Sequence, residues 1–316
     1  MRLVWDQEVQ GSNPCTPTNE RKMDHINYSY TFDKSKDIPF DIVFDPTTRN
    51  LESHDREITK TAKHISNSIS GQVYVFSSGG IDSEIIAREF VSLKRDFKVI
   101  TFNFQDSNNN NNLYDTNYAV KWCKHHNVEQ IIHNVDIEDF VKHRIPNYIS
   151  KEFYSFSIYR YMQIYMMEFA ENLNGHAVLG GRENNFKLND LNQICIPHGS
   201  WFNTGIDYCF KTNQQHYPAF FLQNPEIFAS YLKLPVVNTM ISDPGYFTNV
   251  PINASLEKMI EYRRLYPELE LRRKFSGYES LQHIYNNVKS TMISQFKDEC
   301  KTYLIPLNNI KEQLKI

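Results

Sequence analysis

The stretch Val73-Tyr-Val-Phe-Ser-Ser-Gly-Gly-Ile-Asp-Ser-Glu-Ile-Ile-Ala-Arg-Glu-Phe90 decides the fold. Val73 to Phe76 is a short apolar, β-favouring run of the kind that forms a buried strand. From Glu84 the pattern changes to helical spacing: Ile85, Ile86, Phe90 and Leu93 share one face, while Glu84, Arg88 and Glu89 suit the other. Between the two lies Ser77-Ser78-Gly79-Gly80-Ile81-Asp82-Ser83. A strand that turns sharply into a helix leaves several N–H groups unpaired at the helix start, with the positive end of the dipole behind them. Gly79 and Gly80 permit positive φ and let an anion approach the backbone, and the hydroxyls of Ser78 and Ser83 add donors. The stretch reads as a cradle for phosphate or pyrophosphate. A plain Gly-Gly turn capped by Asp82 or Ser83 is the alternative. Strand, loop and helix all fall in place around the loop, which favours the cradle. No Lys follows the glycines, so it is not a Walker A loop, and the spacing is not G-x-G-x-x-G.

Ser78-Gly79-Gly80-Ile81-Asp82-Ser83 resembles the SGGxDS signature of the PP-loop ATP pyrophosphatases. That superfamily includes asparagine synthetase, GMP synthetase, NAD synthetase, 7-cyano-7-deazaguanine synthase and several tRNA-modifying enzymes. The resemblance implies an adenine nucleotide alpha hydrolase-like fold, with a parallel, doubly wound sheet and flanking helices. It implies that Phe76, Ser77, Ser78, Gly79, Gly80, Ile81, Asp82 and Ser83 form an ATP site. ATP is then split between its α and β phosphates, and a substrate oxygen is adenylated. Mg²⁺ at Asp82 would explain a carboxylate beside phosphate. In such proteins the chain just past the second strand passes near the nucleotide, which adds Phe104 to the site; Asp106 there is a substrate or metal candidate, or simply a loop-start Asp.

Composition is that of an ordinary globular protein: 316 residues, 41% hydrophobic and 22% charged, with a net charge of −3. No overall basic field argues for nucleic acid, so a tRNA partner would need a local patch. Cys15, Cys123, Cys195, Cys209 and Cys300 are scattered, without a C-x-x-C pair. That pattern argues against a disulfide framework or a cysteine zinc site and fits a reducing cytoplasm. No apolar run approaches the ~20 residues of a membrane span.

Four parts are expected along the chain. Residues 1–22 have no periodicity, and Gln10-Gly-Ser-Asn-Pro-Cys-Thr-Pro17 resembles a translated tRNA-gene T-arm. They are expected to be a non-native or disordered leader with the true start at Met23; a native peptide spanning Asn13 to Arg21, found by mass spectrometry, would sink that idea. Residues 23–70 are lead-in strands (Ile26–Phe32, Phe40–Phe44) and a helix, His54 to Ile69, whose Ile58, Ala62, Ile65 and Ile69 share a face. Residues 71–240 are the ATP-binding α/β domain, and 241–316 a helical extension. Within the domain, Phe97–Phe104 and Glu129–Val135 read as strands and Tyr114–His126 as a helix. Such alternation predicts a parallel sheet with ligands at its carboxyl edge. The Asn108–Asn112 run reads as a solvated linker. Phe153–Leu173 reads as a helix packed on the sheet, and Ile194–Pro197, Ala219–Leu222 and Leu234–Val237 as short strands. His125, His126 and His133 show no metal-ligand spacing, and Cys195 and Cys209 show no activating partner.

A second stretch, His176-Ala-Val-Leu-Gly-Gly-Arg-Glu-Asn-Asn185, ends a fourth strand at the same sheet edge. Asparagine synthetase-like proteins have a Gly-rich acidic loop at the comparable point; here Arg-Glu stands where Asp-Glu is usual. The resemblance implies that Gly180 and Gly181 line the nucleotide, that Arg182 neutralises phosphate, and that Glu183 holds Mg²⁺ or a substrate amine; a β-turn with a surface ion pair is the alternative. Lys274-Phe-Ser-Gly277-Tyr278-Glu279 is similar to a Lys followed by Gly-aromatic-Glu in standalone PP-loop proteins, where the basic group balances phosphate charge; a solvated charged loop over Arg272, Arg273 and Lys274 is the alternative. The resulting expectation is an ATP-dependent, AMP-forming ligase with Asp82, Lys274 and Arg182 as catalytic residues. A carboxylate or amide-type oxygen is activated for a nitrogen nucleophile, as in asparagine synthetase, but without a glutaminase domain. Neither Met1-Arg2 nor Met23-Asp24 offers an N-terminal cysteine nucleophile, so ammonia would come from solution or a partner, or the nucleophile is something else. The alternatives are a nucleobase- or tRNA-modifying enzyme of the superfamily and a non-catalytic adenine-nucleotide sensor.

Overall fold

The computed structural model describes residues 20–22, 28–32, 40–106, 111–155, 157–180, 186–198, 203–242, 253–272 and 303–316. In chain order the first elements are β1 (Glu20–Lys22), β2 (Tyr28–Phe32), β3 (Phe40–Phe44), α1 (His54–Ser68), β4 (Gln72–Phe76), α2 (Ile81–Ser92), β5 (Phe97–Gln105), α3 (Leu113–His126) and β6 (Gln130–Asp136). A broken helical stretch follows, α4 (Ile137–Asp139), a π-helical turn and α5 (Ile145–Ser150); then come α6 (Ile158–Asn172) and β7 (Gly175–Val178). The rest comprises β8 (Lys187–Leu188), β9 (Ile194–His198), α7 (Thr204–Thr212), α8 (Pro225–Leu232), α9 (Pro235–Ser242), α10 (Asn253–Leu265), β10 (Tyr303–Pro306) and α11 (Leu307–Leu314).

The central sheet is parallel, with strand order β6-β5-β4-β7. The chain builds outward from β4 to β5 and β6, then returns to place β7 on the other side of β4. Strand order therefore reverses between β4 and β7, which is where open α/β sheets bind ligands. Side chains alternate between the faces, as the pleat requires. Val73, Val75, Val99 and Val178 face a core built with Ile58, Ala62 and Ile65 of α1 and Ile85, Ile86 and Phe90 of α2. Tyr74, Phe76, Ile100, Phe102 and Phe104 face the opposite core, with Tyr161, Met162 and Tyr165 of α6. Helices on both faces make this the α/β class that the strand–helix alternation predicts.

A third core joins both ends of the described chain: Ile42 and Phe44 of β3, Phe228 and Leu232 of α8, and Ile310 and Leu314 of α11. Thr47 N–H donates to the Leu314 carbonyl at 3.3 Å. Beyond β7, the chain at Tyr217 adds a bridge to the sheet, with Tyr217 N–H donating to Ala177 O at 2.8 Å and Leu179 N–H to Tyr217 O at 2.8 Å.

Several local expectations change. α6 begins at Ile158, because residues 153–155 run as a loop pinned by the Tyr161 hydroxyl, which accepts Ser155 N–H at 3.0 Å. Phe220–Leu222 is a 3₁₀ turn, and Pro235 opens a helix where Leu234–Val237 reads as a strand. A proline at the first helical position has its φ already set for a helix, which outweighs the β-favouring valines after it. α8 starts the same way: Pro225 follows Asn224, whose side chain accepts Ile227 N–H at 2.9 Å. β1 lies in the span expected to be leader. Of the expected helical extension, residues 243–252 and 273–302 lie outside the described residues, and Tyr303–Pro306 is strand β10 rather than helix.

Candidate active site at the sheet's switch point

Ser77 N–H still bonds Ile100 O at 2.9 Å, so sheet pairing runs one residue past β4 before the chain turns away. Gly79 then takes φ +77°, and a Cβ there would overlap the backbone carbonyl of Asp115 at the start of α3. A left-handed φ and a backbone in contact together demand glycine. Two serines hold the turn. Ser83 Oγ donates to Gly80 O at 2.8 Å, so the 3.3 Å contact between Ser77 and Ser83 must take its proton from Ser77. Ser77 Oγ also accepts Gly79 N–H at 3.3 Å. Both serines are buried, and Ser78 is exposed.

α2 starts from Gly80 in extended conformation, with no side-chain cap. Its first internal bond is Glu84 N–H to Gly80 O, 3.1 Å, and among the described residues nothing accepts the N–H groups of Gly80, Ile81, Asp82 and Ser83. These donors and the positive helix end are the ingredients of an anion site.

Cations arrive from the C-terminal part of the chain. Lys258 of α10 puts Nζ 2.9 Å from Asp82 Oδ1. That oxygen is buried and makes no hydrogen bond, so the two meet as an ion pair without hydrogen-bond alignment. The ammonium is boxed by the rings of Tyr262, Phe221 and Tyr231, at 5.4, 5.8 and 5.9 Å from their centroids. Behind them His54, the first residue of α1, joins Ser230 Oγ through Nδ1 at 2.8 Å and Tyr262 through Nε2 at 3.2 Å. Burial, reinforced by the Lys258 charge, pushes the His54 imidazolium pKa down to about 3. It is therefore neutral at pH 7 and adds no charge to the site. Arg272 reaches the loop from further along: its Nε donates to Gly79 O at 2.8 Å and its Nη2 to Glu84 Oε2 at 2.7 Å.

The expected polar face of α2 is thus covered. Glu84 and Glu89 are buried because the segment after α10 packs on them, with Tyr266 OH donating to Glu89 at 2.8 Å and Arg88 pairing with Glu268 at 2.8 Å. Burial raises the Glu89 carboxyl pKa, partly offset by that phenol.

At the neighbouring strand ends, Gly180 leaves β7 close over α2; a Cβ on it would sit 3.4 Å from that of Asp82. Phe76 and Phe104 turn their rings into the core, where Phe76 meets Phe102 edge-on at 5.5 Å. Phe104 N–H donates to Asn112 Oδ1 at 2.8 Å, and its carbonyl accepts Asn111 N–H at 2.8 Å. Asn112 also donates to Phe102 O at 2.8 Å and is buried, so the end of the asparagine run is a strap on β5 rather than solvated linker. Asp106 accepts from Asn111 Nδ2 at 3.0 Å. Gly181, Arg182, Glu183 and Lys274 lie outside the described residues.

No cysteine is primed for chemistry among those described. Burial raises the Cys195 thiol and pushes Cys123 up to about 12 and Cys209 further still. Among the described residues no group of three or more His, Cys, Asp or Glu could hold a metal by itself. Sequence reasoning missed Lys258. The sequence offered only its four-residue spacing to Tyr262, and Glu261 beside Tyr262 is buried as well.

No protein-family model matches this chain, and no curated protein matches it. Among solved structures it is similar to an NH3-dependent NAD synthetase from Campylobacter jejuni: 17% identity, 78% of this chain and 97% of that chain, TM-score 0.32. It is also similar to an NMN synthetase from Francisella tularensis: 14% identity, 80% and 98% coverage, TM-score 0.34. A third is the U34-tRNA thiolase of Methanococcus maripaludis: 12% identity, 73% and 91% coverage, TM-score 0.29. No helix among the described residues is long and apolar enough to cross a membrane.

Proposed function

We propose that this chain is an ATP-dependent adenylating enzyme of the PP-loop kind, releasing AMP and pyrophosphate. The observation that carries the reading is the uncapped start of α2 behind a glycine that must stay glycine, at the switch point of a parallel sheet, with Lys258 facing it. The β- and γ-phosphates would take the N–H groups of Gly80 to Ser83, and Ser78 Oγ would add a donor from the exposed side. Lys258 would balance the charge of the departing pyrophosphate. The same role is proposed for Lys274 and Arg182.

Asp82 is proposed to hold Mg²⁺ through its second oxygen: Oδ1 is taken by Lys258 at 2.9 Å, the side chain is 32% exposed, and Mg²⁺ commonly takes one or two carboxylates beside phosphate oxygens. Bound there, the ion would supply charge neutralisation; Glu183 is a second proposed ligand. The acceptor is proposed to be a carboxylate or amide-type oxygen, attacked afterwards by a nitrogen nucleophile, as in an asparagine synthetase without its glutaminase half.

The test is pyrophosphate and AMP release from MgATP by wild type and Asp82→Ala, against pools of amino acids, small carboxylates and tRNA. Release that needs both Asp82 and a pool supports adenylation, and the stimulating pool identifies the substrate class; stimulation by tRNA alone replaces the small-molecule ligase with a tRNA modifier. Binding of ATP without release from any pool replaces the enzyme with a nucleotide sensor.

A further inference from the structure

Arg272 is held on four sides. Besides Gly79 O and Glu84, its Nη1 donates to Glu270 O at 3.3 Å and its guanidinium lies 4.7 Å from the Tyr118 ring centroid. It is only 8% exposed. The contact with Gly79 has a consequence for the loop. In a planar trans peptide the carbonyl and the next N–H point in opposite directions. A grip on Gly79 O therefore sets where Gly80 N–H points. Glycine flanks this peptide on both sides, so no Cβ opposes its rotation. A flipped Gly79–Gly80 peptide would aim a carbonyl oxygen where the cradle needs a donor.

The loop's other groups are held from within. Ser77 Oγ takes Gly79 N–H, and Ser83 Oγ and Glu84 N–H take Gly80 O. Gly79 O is held by a residue 193 positions away. Glu84 accepts the other arm of the same guanidinium, so the Arg272 charge is neutralised within the fold and its fork is fixed in one orientation.

We infer that Arg272 is a positioning residue that locks the Gly79–Gly80 peptide in its anion-accepting orientation, so that the C-terminal segment decides whether the loop can bind phosphate. The inference rests on the phosphate-binding reading of the loop.

The experiment measures Kd for inorganic pyrophosphate and for MgATP by calorimetry on the full chain, with Tm alongside. Arg272→Ala is expected to weaken both by about 10- to 100-fold, with partial recovery on adding low concentrations of guanidinium ion. Arg272→Lys keeps a charge for Glu84 but has no fork to hold both partners, so it should fold and bind at an intermediate level. Tyr266→Phe loosens the same segment on α2 without touching the loop, and should lower Tm while leaving pyrophosphate Kd unchanged. Wild-type Kd in both Arg272 variants overturns the inference. So does a Tyr266→Phe protein that loses binding as badly as Arg272→Ala. A wild-type chain that binds neither pyrophosphate nor MgATP removes the phosphate reading itself, a result distinguishable from loss in the variants alone.

Discussion

The Ser77–Ser83 loop and the Lys258–Arg272 segment meet at one place but are built in opposite ways. The loop is local. Its serine bonds span at most six residues, and the N–H groups proposed to bind phosphate belong to consecutive residues, with the Gly79–Gly80 peptide gripped in addition by Arg272. The segment is remote. It reaches the loop and α2 through contacts that span 176 to 193 residues, and it contributes side chains rather than backbone. Donors that must converge within an ångström are made by consecutive residues. Charges that act over several ångströms can be delivered from far along the chain.

Gly79→Ala attacks the local half and should have the largest effect. Left-handed φ costs a residue with a Cβ ~1–2 kcal/mol, and the overlap with the Asp115 carbonyl adds to that. Pyrophosphate release should fall by about 10³-fold or more, because the donors disperse together. Near-normal release would show that the loop does not organise the site, and the contrast between the two regions would collapse.

Lys258→Met attacks the remote half. Methionine keeps the volume inside the Phe221, Tyr231 and Tyr262 box but leaves the buried Asp82 Oδ1 without its ion-pair partner, so Tm should fall while the fold is kept. Turnover should fall by about 10²- to 10³-fold, read as pyrophosphate release at saturating MgATP. If turnover holds while Tm drops, Lys258 is packing and the charge comes from elsewhere.

Acid should separate the two regions by stability. His54 has a folded pKa of about 3 against an unfolded value near 6.5, so the unfolded chain binds the extra proton between those limits. Its contribution is complete above pH 6.5 and is lost as pH falls toward 3. The full shift corresponds to at most about 4–5 kcal/mol. Urea unfolding from pH 7 to 4 should show this slope in wild type and a shallower one in His54→Gln. Equal slopes would remove His54 from the account.

Ser83→Ala is the smallest predicted effect. It deletes the hydroxyl that holds Gly80 O and Ser77, which costs about 1 kcal/mol of stability by chemical denaturation. Glu84 N–H still holds the same carbonyl, so release should drop only a few-fold. A loss as large as that of Gly79→Ala would mean that Ser83 meets the ligand directly.

The loop was legible because its pattern needs no partner: an apolar run, two glycines and a helical repeat suffice. The core faces of α1 and β4 were legible for the same reason, as Ile58, Ala62 and Ile65 show. The polar face of α2 was not. Glu84, Arg88 and Glu89 have the spacing of a solvated stripe, and the packing of residues 266–272 on them helps bury Glu84 and Glu89. Asn112 likewise sits in a polar run, and its burial depends on the free edge of β5 beyond the end of β4.

By itself, then, the sequence determined the strand–loop–helix unit, the parallel sheet and the carboxyl edge where a ligand would lie. These depend on periodicity, on β-favouring runs and on the backbone freedom of glycine, all properties of neighbouring residues. Only the tertiary structure decided that Lys258 faces Asp82, that Arg272 grips Gly79 O, and that Gly180 passes over the first turn of α2. A lysine or arginine has the same local signature on a wet surface as in an aromatic box. Its role is set by whichever distant aromatic and acidic groups packing brings around it.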